Sequence, residues 1–249
     1  FPEWVTAQIT LPDVDAVFES QDLFESNTEG YHCFRIPSLV TTPEGVILAF
    51  CEARRETCRD HADVDLVMRR SIDGGRTWSR LTVLFNDGEH TIGNPCPVVD
   101  RRTGTIWLPF CKNNRDILMT SSGDAGLTWS QPVDITAVAK KDEWHWVGTG
   151  PGHGIQLQSG RLLIPCWADE TPQLGERQTS YVFYSDDHGT TWAIGGTLTS
   201  NQSDECEVVE LNDGTVYIGS GYKELFAIST SSLGLAKSVW PKFGDNNQN

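Results

Sequence analysis

The chain is 249 residues long, with 23 Gly, 12 Pro, 9 Trp and only 2 Met, and its 19 Lys and Arg face 34 Asp and Glu, a formal net charge of −15. A hydrophobic fraction of 38% and a charged fraction of 21% fit a folded globular chain rather than a disordered one. The acidic balance excludes broad binding to nucleic acid or anionic membrane, and no apolar run approaches the roughly 18 residues of a transmembrane helix.

Taken in chain order, Phe34-Arg35-Ile36-Pro37 comes first, an arginine set among apolar residues and so ill placed for an ordinary surface role. Short β-rich runs follow at Leu66–Met68, Thr105–Leu108, Arg161–Ile164, Tyr181–Tyr184 and Thr215–Ile218, separated by Asp-Gly, Thr-Gly, Ser-Gly and Asn-Asp-Gly turn signals. A short turn near Val133–Lys140 is the only helical expectation. Three copies of S-x-D-x-G-x-T-W punctuate the chain: Ser71 to Trp78, Ser122 to Trp129 and Ser185 to Trp192. Their aspartates, Asp73, Asp124 and Asp187, stand roughly 50 to 60 residues apart, a period that means stacked supersecondary units, each too small to bury its own apolar face.

The residue types of the repeat explain it. Asp73, Asp124 and Asp187 can accept hydrogen bonds from the backbone of their own turn, and the serine can add another. Gly75, Gly126 and Gly189 allow a positive φ. Trp78, Trp129 and Trp192 then fold back as apolar plugs, with an N–H to offer a carbonyl. Four-stranded units arranged radially satisfy the pattern, so the expected fold is an all-β propeller. The seven cysteines are scattered, with no CxxC pair, and several sit in apolar runs that favour buried thiols.

Phe34-Arg35-Ile36-Pro37 ahead of three such boxes resembles the sialidase (neuraminidase) superfamily. The resemblance runs from about Tyr31 to Tyr217 and takes in Leu48–Arg54, Asn94–Pro97, Gly150–His153 and Asp204–Cys206. It implies a six-bladed propeller that hydrolyses terminal α-linked sialic acids of glycoproteins, glycolipids or oligosaccharides with retention, using no metal or other cofactor. Arg35 then matches an arginine that grips the substrate carboxylate, a task suited to a planar, permanently charged guanidinium. Asp60 matches the acid/base group, with Asp63 and Asp65 as rivals, and partial burial would suit it. Glu205 matches the base that activates a tyrosine nucleophile; Glu207, two residues on and so on the same strand face, is its competitor. Arg54, Asn94 and Trp167 are expected to line the pocket, which must be locally positive around Arg35, Arg54, Arg55 and Arg59.

The resemblance weakens toward the end of the chain. Gly221 stands where the second gripping arginine is expected, no arginine follows Arg177, and Tyr222 falls in the wrong segment to be the nucleophile. Six units of the observed spacing need roughly 340 residues, so residues 1–249 are expected to hold about four blades of one propeller domain and to be weakly active or inactive. A non-catalytic Asp-box propeller that binds glycans or proteins is the alternative reading, and a secreted, periplasmic or lysosome-like location is favoured over the cytoplasm.

Overall fold

Short strands broken by glycine turns pair most readily with their neighbours in sequence, and the described residues fold as four successive antiparallel sheets. A computed structural model describes residues 20–173, 175–198, 203–220 and 224–229. The first sheet holds β1 (Cys33–Thr41), β2 (Ile47–Arg54), β3 (Val64–Ser71) and β4 (Thr82–Phe85) in sequence order. The second holds β5 (Ile92–Gly93), β6 (Val98–Val99), β7 (Ile106–Lys112), β8 (Asp116–Ser122) and β9 (Val133–Asp134), followed by the single turn α1 (Thr136–Ala139). The third holds β10 (Trp146–Thr149), β11 (Ile155–Gln156), β12 (Leu162–Asp169), β13 (Gln178–Ser185) and β14 (Ala193–Thr197). The fourth holds β15 (Cys206–Glu210), β16 (Thr215–Ser220) and β17 (Glu224–Ser229). The strand expectations overlap β3, β7, β12, β13 and β16, with Thr105 and Arg161 one residue outside their strands, and the helical one contains α1, although Val133 and Asp134 at its start pair as β9.

The first strand of each of the first three sheets is interrupted at a proline-bearing segment. In β1 the register slips between Arg35 and Ser38, one extra residue opposite β2, with Ile36 at φ 53°. β5 and β6 both pair with β7 on either side of Asn94–Pro97, and β10 and β11 both pair with β12 on either side of Gly150–Gly154. Proline has no N–H for a ladder, so these strands break there and turn side chains out of the sheet.

The cores lie between sheets. Leu48, Phe50 and Leu66 of the first meet Ile106, Leu108 and Phe110 of the second; Cys111 and Ile117 meet Leu162, Ile164 and Phe183; and Leu163 and Val182 meet Val208 and Ile218. β12 is buried along its whole length because both of its faces are covered, which is why it reads as a continuous apolar run.

The repeated boxes are the turns that staple this stack. Ser71 Oγ donates to Asp73 Oδ1 at 2.8 Å and accepts from the Gly75 N–H at 2.9 Å. Asp73 accepts from the Thr77 N–H at 2.9 Å and hydroxyl at 2.7 Å. The other two boxes repeat this set. Gly126, at φ 82°, lies so close to the preceding sheet that a Cβ there would come within 2.1 Å of Leu48 Cδ2. Trp129 packs edge-on to Phe50 at 5.8 Å and Trp192 to Phe183 at 5.4 Å. The tryptophan N–H finds its carbonyl at Trp78, which donates to Gly75 O at 3.0 Å, whereas that of Trp129 is buried without a hydrogen-bond partner, a correction to the expected pattern.

The threonine and serine donors hold the carboxyls of Asp73, Asp124 and Asp187 at about 2, below the ordinary value near 4. Each therefore contributes stability that is present above that ordinary value and is lost as the pH falls toward 2. Urea unfolding followed by tryptophan fluorescence is expected to show midpoints falling between pH 4 and 2, and Asp124→Asn is expected to flatten that slope.

Candidate active site

The bulge in β1 and the loops leaving β2, β5 and β14 converge on one small pocket of about 200 Å³. It is lined by Arg35, Arg54, Asp60, Asn94, Trp167 and Glu205, all six singled out in the sequence, and by Ile36, Glu52, Asn114, Trp146, Gln178 and Asp204. A larger cavity of about 750 Å³ opens between the first strands of the four sheets, but its walls are mostly aliphatic and amide side chains and it holds none of those six. Chemistry, rather than size, picks out the smaller one.

Its geometry is built on Glu52 and Arg54, neighbours on one face of β2 by the two-residue period. Arg54 is only 2% exposed. Glu52 Oε2 accepts from Arg54 Nε at 3.0 Å and Nη2 at 2.5 Å, and Oε1 accepts the Asn94 N–H at 2.8 Å. Burial pushes the Glu52 carboxyl up, while Arg54 and the Asn94 N–H pull it down. Gly93 is needed for the close approach, since a Cβ there would lie 2.2 Å from Glu52 Oε1. The remaining Arg54 donor, Nη1, reaches the Cys58 carbonyl at 2.5 Å and Asp60 Oδ1 at 3.0 Å. The same Asp60 oxygen pairs with Arg35 Nη1 at 2.7 Å.

The rivals separate. Asp65 is fully buried and accepts from Tyr31, Arg55 and Asn86, and Asp63 pairs with Arg55; both are structural. Asp60 alone of the three faces the pocket. Its side chain is 63% exposed, which corrects the expectation of partial burial, because the loop after β2 projects it over the rim to meet two arginines. Glu205 precedes β15 rather than lying in it, so the expected shared face with Glu207 does not arise. Glu205 enters the pocket; Glu207 turns into the larger cavity and accepts the His153 N–H at 3.3 Å. Burial and then Asp204 push the Glu205 carboxyl up, against the pull of Arg35.

The locally positive field expected around the four arginines is also corrected. Arg55 turns away to Asp65 at 2.6 Å and Asp63 at 3.3 Å, Arg59 does not line the pocket, and Arg54 is neutralised by Glu52. Four carboxylates, Glu52, Asp60, Asp204 and Glu205, share the pocket with Arg35 and Arg54, leaving Arg35 as its exposed cation. A buried guanidinium requires a buried carboxylate beside it, which charge counting along the chain does not register.

Trp146 and Trp167 stack at 6.1 Å as the aromatic wall, their Nε1 atoms buried without a partner, and His61 stands edge-on to Trp146 at 4.7 Å. Glu52 was legible in principle, two residues before Arg54 in a strand; Trp146, Asn114 and Gln178 carry no local signal. Gly221 and Tyr222 lie outside the described residues. Among the described residues no group of three or more His, Cys, Asp or Glu is arranged to hold a metal ion, and no helix is long and apolar enough to cross a membrane.

The BNR repeat-like domain family matches residues 45–231. Sialidase-4 of Homo sapiens is 36% identical over 221 residues, covering 77% of this chain and 46% of that protein. The solved Hadza microbial sialidase Hz136 superposes with a TM-score of 0.74 at 26% identity, over 86% of this chain and 47% of its own. Trypanosoma rangeli sialidase in complex with sialic acid superposes with a TM-score of 0.67 at 20% identity, over 85% and 37%. The chain spans about half the length of the curated relatives it matches.

Removing one partner of a buried ion pair leaves the other charged and desolvated. Glu52→Ala is expected to lower stability by about 3–5 kcal/mol, measured by urea unfolding, because Arg54 cannot reach water.

Proposed function

The chain belongs to the sialidase superfamily through its BNR repeat-like domain, and on that premise we propose that it is the part of an exo-α-sialidase that carries the acid/base group, the base and one carboxylate-gripping arginine. The observation that carries the reading is the convergence of Arg35, Asp60 and Glu205 on one pocket from the first and fourth sheets.

Arg35 presents an exposed planar fork that can take both oxygens of a substrate carboxylate. In the free site Asp60 occupies that fork. A sialic acid carboxylate seating on Arg35 displaces Asp60, which stays tethered to Arg54 and is free to reach the glycosidic oxygen. Freed of Arg35, Asp60 takes up a proton from solvent, passes it to the leaving oxygen and, as the carboxylate, later takes a proton from the attacking water. Glu205 serves as the base for a tyrosine hydroxyl, too weak a nucleophile without one. No tyrosine among the described residues lines the pocket. Asn94 and the stacked Trp146 and Trp167 form the wall against which the sugar ring and its substituents rest. The substrate class is a sialylated glycan, borne by protein, lipid or free oligosaccharide. The disulfide between Cys33 and Cys58 supports a secreted, periplasmic or lysosome-like setting, where such bonds persist.

The single exposed arginine and the lack of a lining tyrosine among the described residues favour one second reading, a propeller that binds sialylated glycans without turning them over. The two are separated by a fluorogenic α-sialoside assay run beside calorimetric binding. The sialidase reading expects slow release that Arg35→Ala lowers by about 100-fold or more in kcat/KM. Saturable binding with zero release decides for the second reading, and neither signal sinks both.

Asp204 raises the Glu205 carboxyl. Asp204→Asn removes that negative neighbour, so Glu205 stays deprotonated to lower pH. The acidic limb of the kcat/KM profile is expected to move to lower pH, measured across pH 3 to 7.

A further inference from the structure

We propose that the Cys33–Cys58 disulfide is the positioning element that holds Asp60 at Arg35, so that the competence of the site follows the redox state of this one pair. The inference rests on the reading of Asp60 as the acid/base group.

Cys33 is the first residue of β1 and Cys58 lies in the loop between β2 and β3, with Cα atoms 5.5 Å apart, a separation that suits a disulfide. Each cysteine stands two residues before one partner of the Arg35–Asp60 ion pair. The cross-link therefore joins the two segments whose next outward side chains must meet. Residues 56–61 are exposed and outside the strand ladder. The loop is closed at its base by the Arg55 N–H to Asp63 O bond of 3.1 Å, and Ala62 is tied to Thr91. Between those points the disulfide and the Arg54 Nη1 bond to the Cys58 carbonyl fix the backbone on the approach to Asp60. The Arg35–Asp60 pair is 45% and 63% exposed, and Asp60 meets Arg54 Nη1 at 3.0 Å from its own exposed side; contacts so open to water at the Asp60 end are too weak to order a loop by themselves.

The rest of the thiol inventory sharpens the point. Cys51, Cys96, Cys111, Cys166 and Cys206 are free and buried, and burial pushes the Cys51, Cys111 and Cys206 thiols up to about 12. Shielded thiols with little thiolate exchange slowly. Cys58 is exposed, so thiol–disulfide chemistry is concentrated at the mouth of the site. A thiolate of an external dithiol attacks Cys58 Sγ. The S–S electron pair leaves with Cys33 Sγ, which takes up a proton. The second thiolate of the reductant then displaces Cys58 Sγ, which is protonated in turn, and the reductant closes its own disulfide. Two electrons and two protons pass to the pair, and Asp60 loses its covalent tether.

The test uses the whole chain, oxidised and after mild dithiothreitol, with thiols counted by alkylation and mass spectrometry. Reduction is expected to raise the count from the five free cysteines to all seven. Trypsin cleavage after Arg59 is expected to quicken about tenfold, in the reduced chain and in Cys58→Ser, and to return to its first rate on reoxidation of the wild type. With an α-sialoside, kcat is expected to fall about fivefold or more while KM changes little, because Asp60 acts after binding. Seven free thiols in chain isolated under oxidising conditions, or unchanged cleavage and turnover on reduction, overturn the proposal. Absence of turnover in both redox states counts against the sialidase reading instead, and the cleavage rate still decides the cross-link.

Discussion

Arg54 is among the largest fully buried side chains, and a guanidinium cannot stay there unless a carboxylate takes its charge and hydrogen bonds take its donors. Glu52 meets that demand with two contacts to the guanidinium, and its other oxygen holds the backbone where the first strand of the second sheet breaks at Asn94. The remaining Arg54 donor reaches outward to the Cys58 carbonyl and Asp60. One buried pair thus fixes a strand of the first sheet and the break in the second, and it shares with the Cys33–Cys58 disulfide the holding of the loop that carries Asp60. The exposed Arg35–Asp60 contact rests on this base rather than supplying it.

The scaffold beneath the pair is a stack in which no sheet completes its own core. Leu48 faces Ile106 and Leu108, and Cys111 faces Ile164, so each sheet depends on the next. The boxes are placed at that dependence: Gly126 abuts Leu48 of the preceding sheet, and Trp129 lies on Phe50. The first strands of the first two sheets, by contrast, break where they reach the pocket, at Ile36-Pro37 and Asn94–Pro97, and that of the third breaks at Gly150–Gly154, beside the larger cavity. Regular ladder outside and broken ladder inside give a rigid frame with side chains turned inward, the arrangement a binding site needs.

The pocket that results is acidic for a site that would take an anion. Its two arginines are already engaged, one by Glu52 and one by Asp60, and only the second pairing lies open enough to exchange. On the proposed function a carboxylate ligand enters by replacing Asp60 on Arg35. On that reading the exchange couples seating of the ligand to release of Asp60, within a family whose members include sialidases.

The repeated S-x-D-x-G-x-T-W boxes and the β-rich runs between glycine turns pointed to the fold class by sequence alone, because turn chemistry and two-residue alternation are local, and the resemblance that Phe34–Pro37 and the boxes carry named six of the twelve residues that line the pocket. Only the tertiary structure decided between Asp60 and its neighbours Asp63 and Asp65, separated Glu205 from Glu207, and joined Cys33 to Cys58. Those choices depend on which way a loop or a strand end turns, and on which charges must be buried together. Such facts are set by contacts between residues distant in the chain, as Trp146 against Trp167 and Glu52 against the Asn94 N–H illustrate, and no local pattern encodes them.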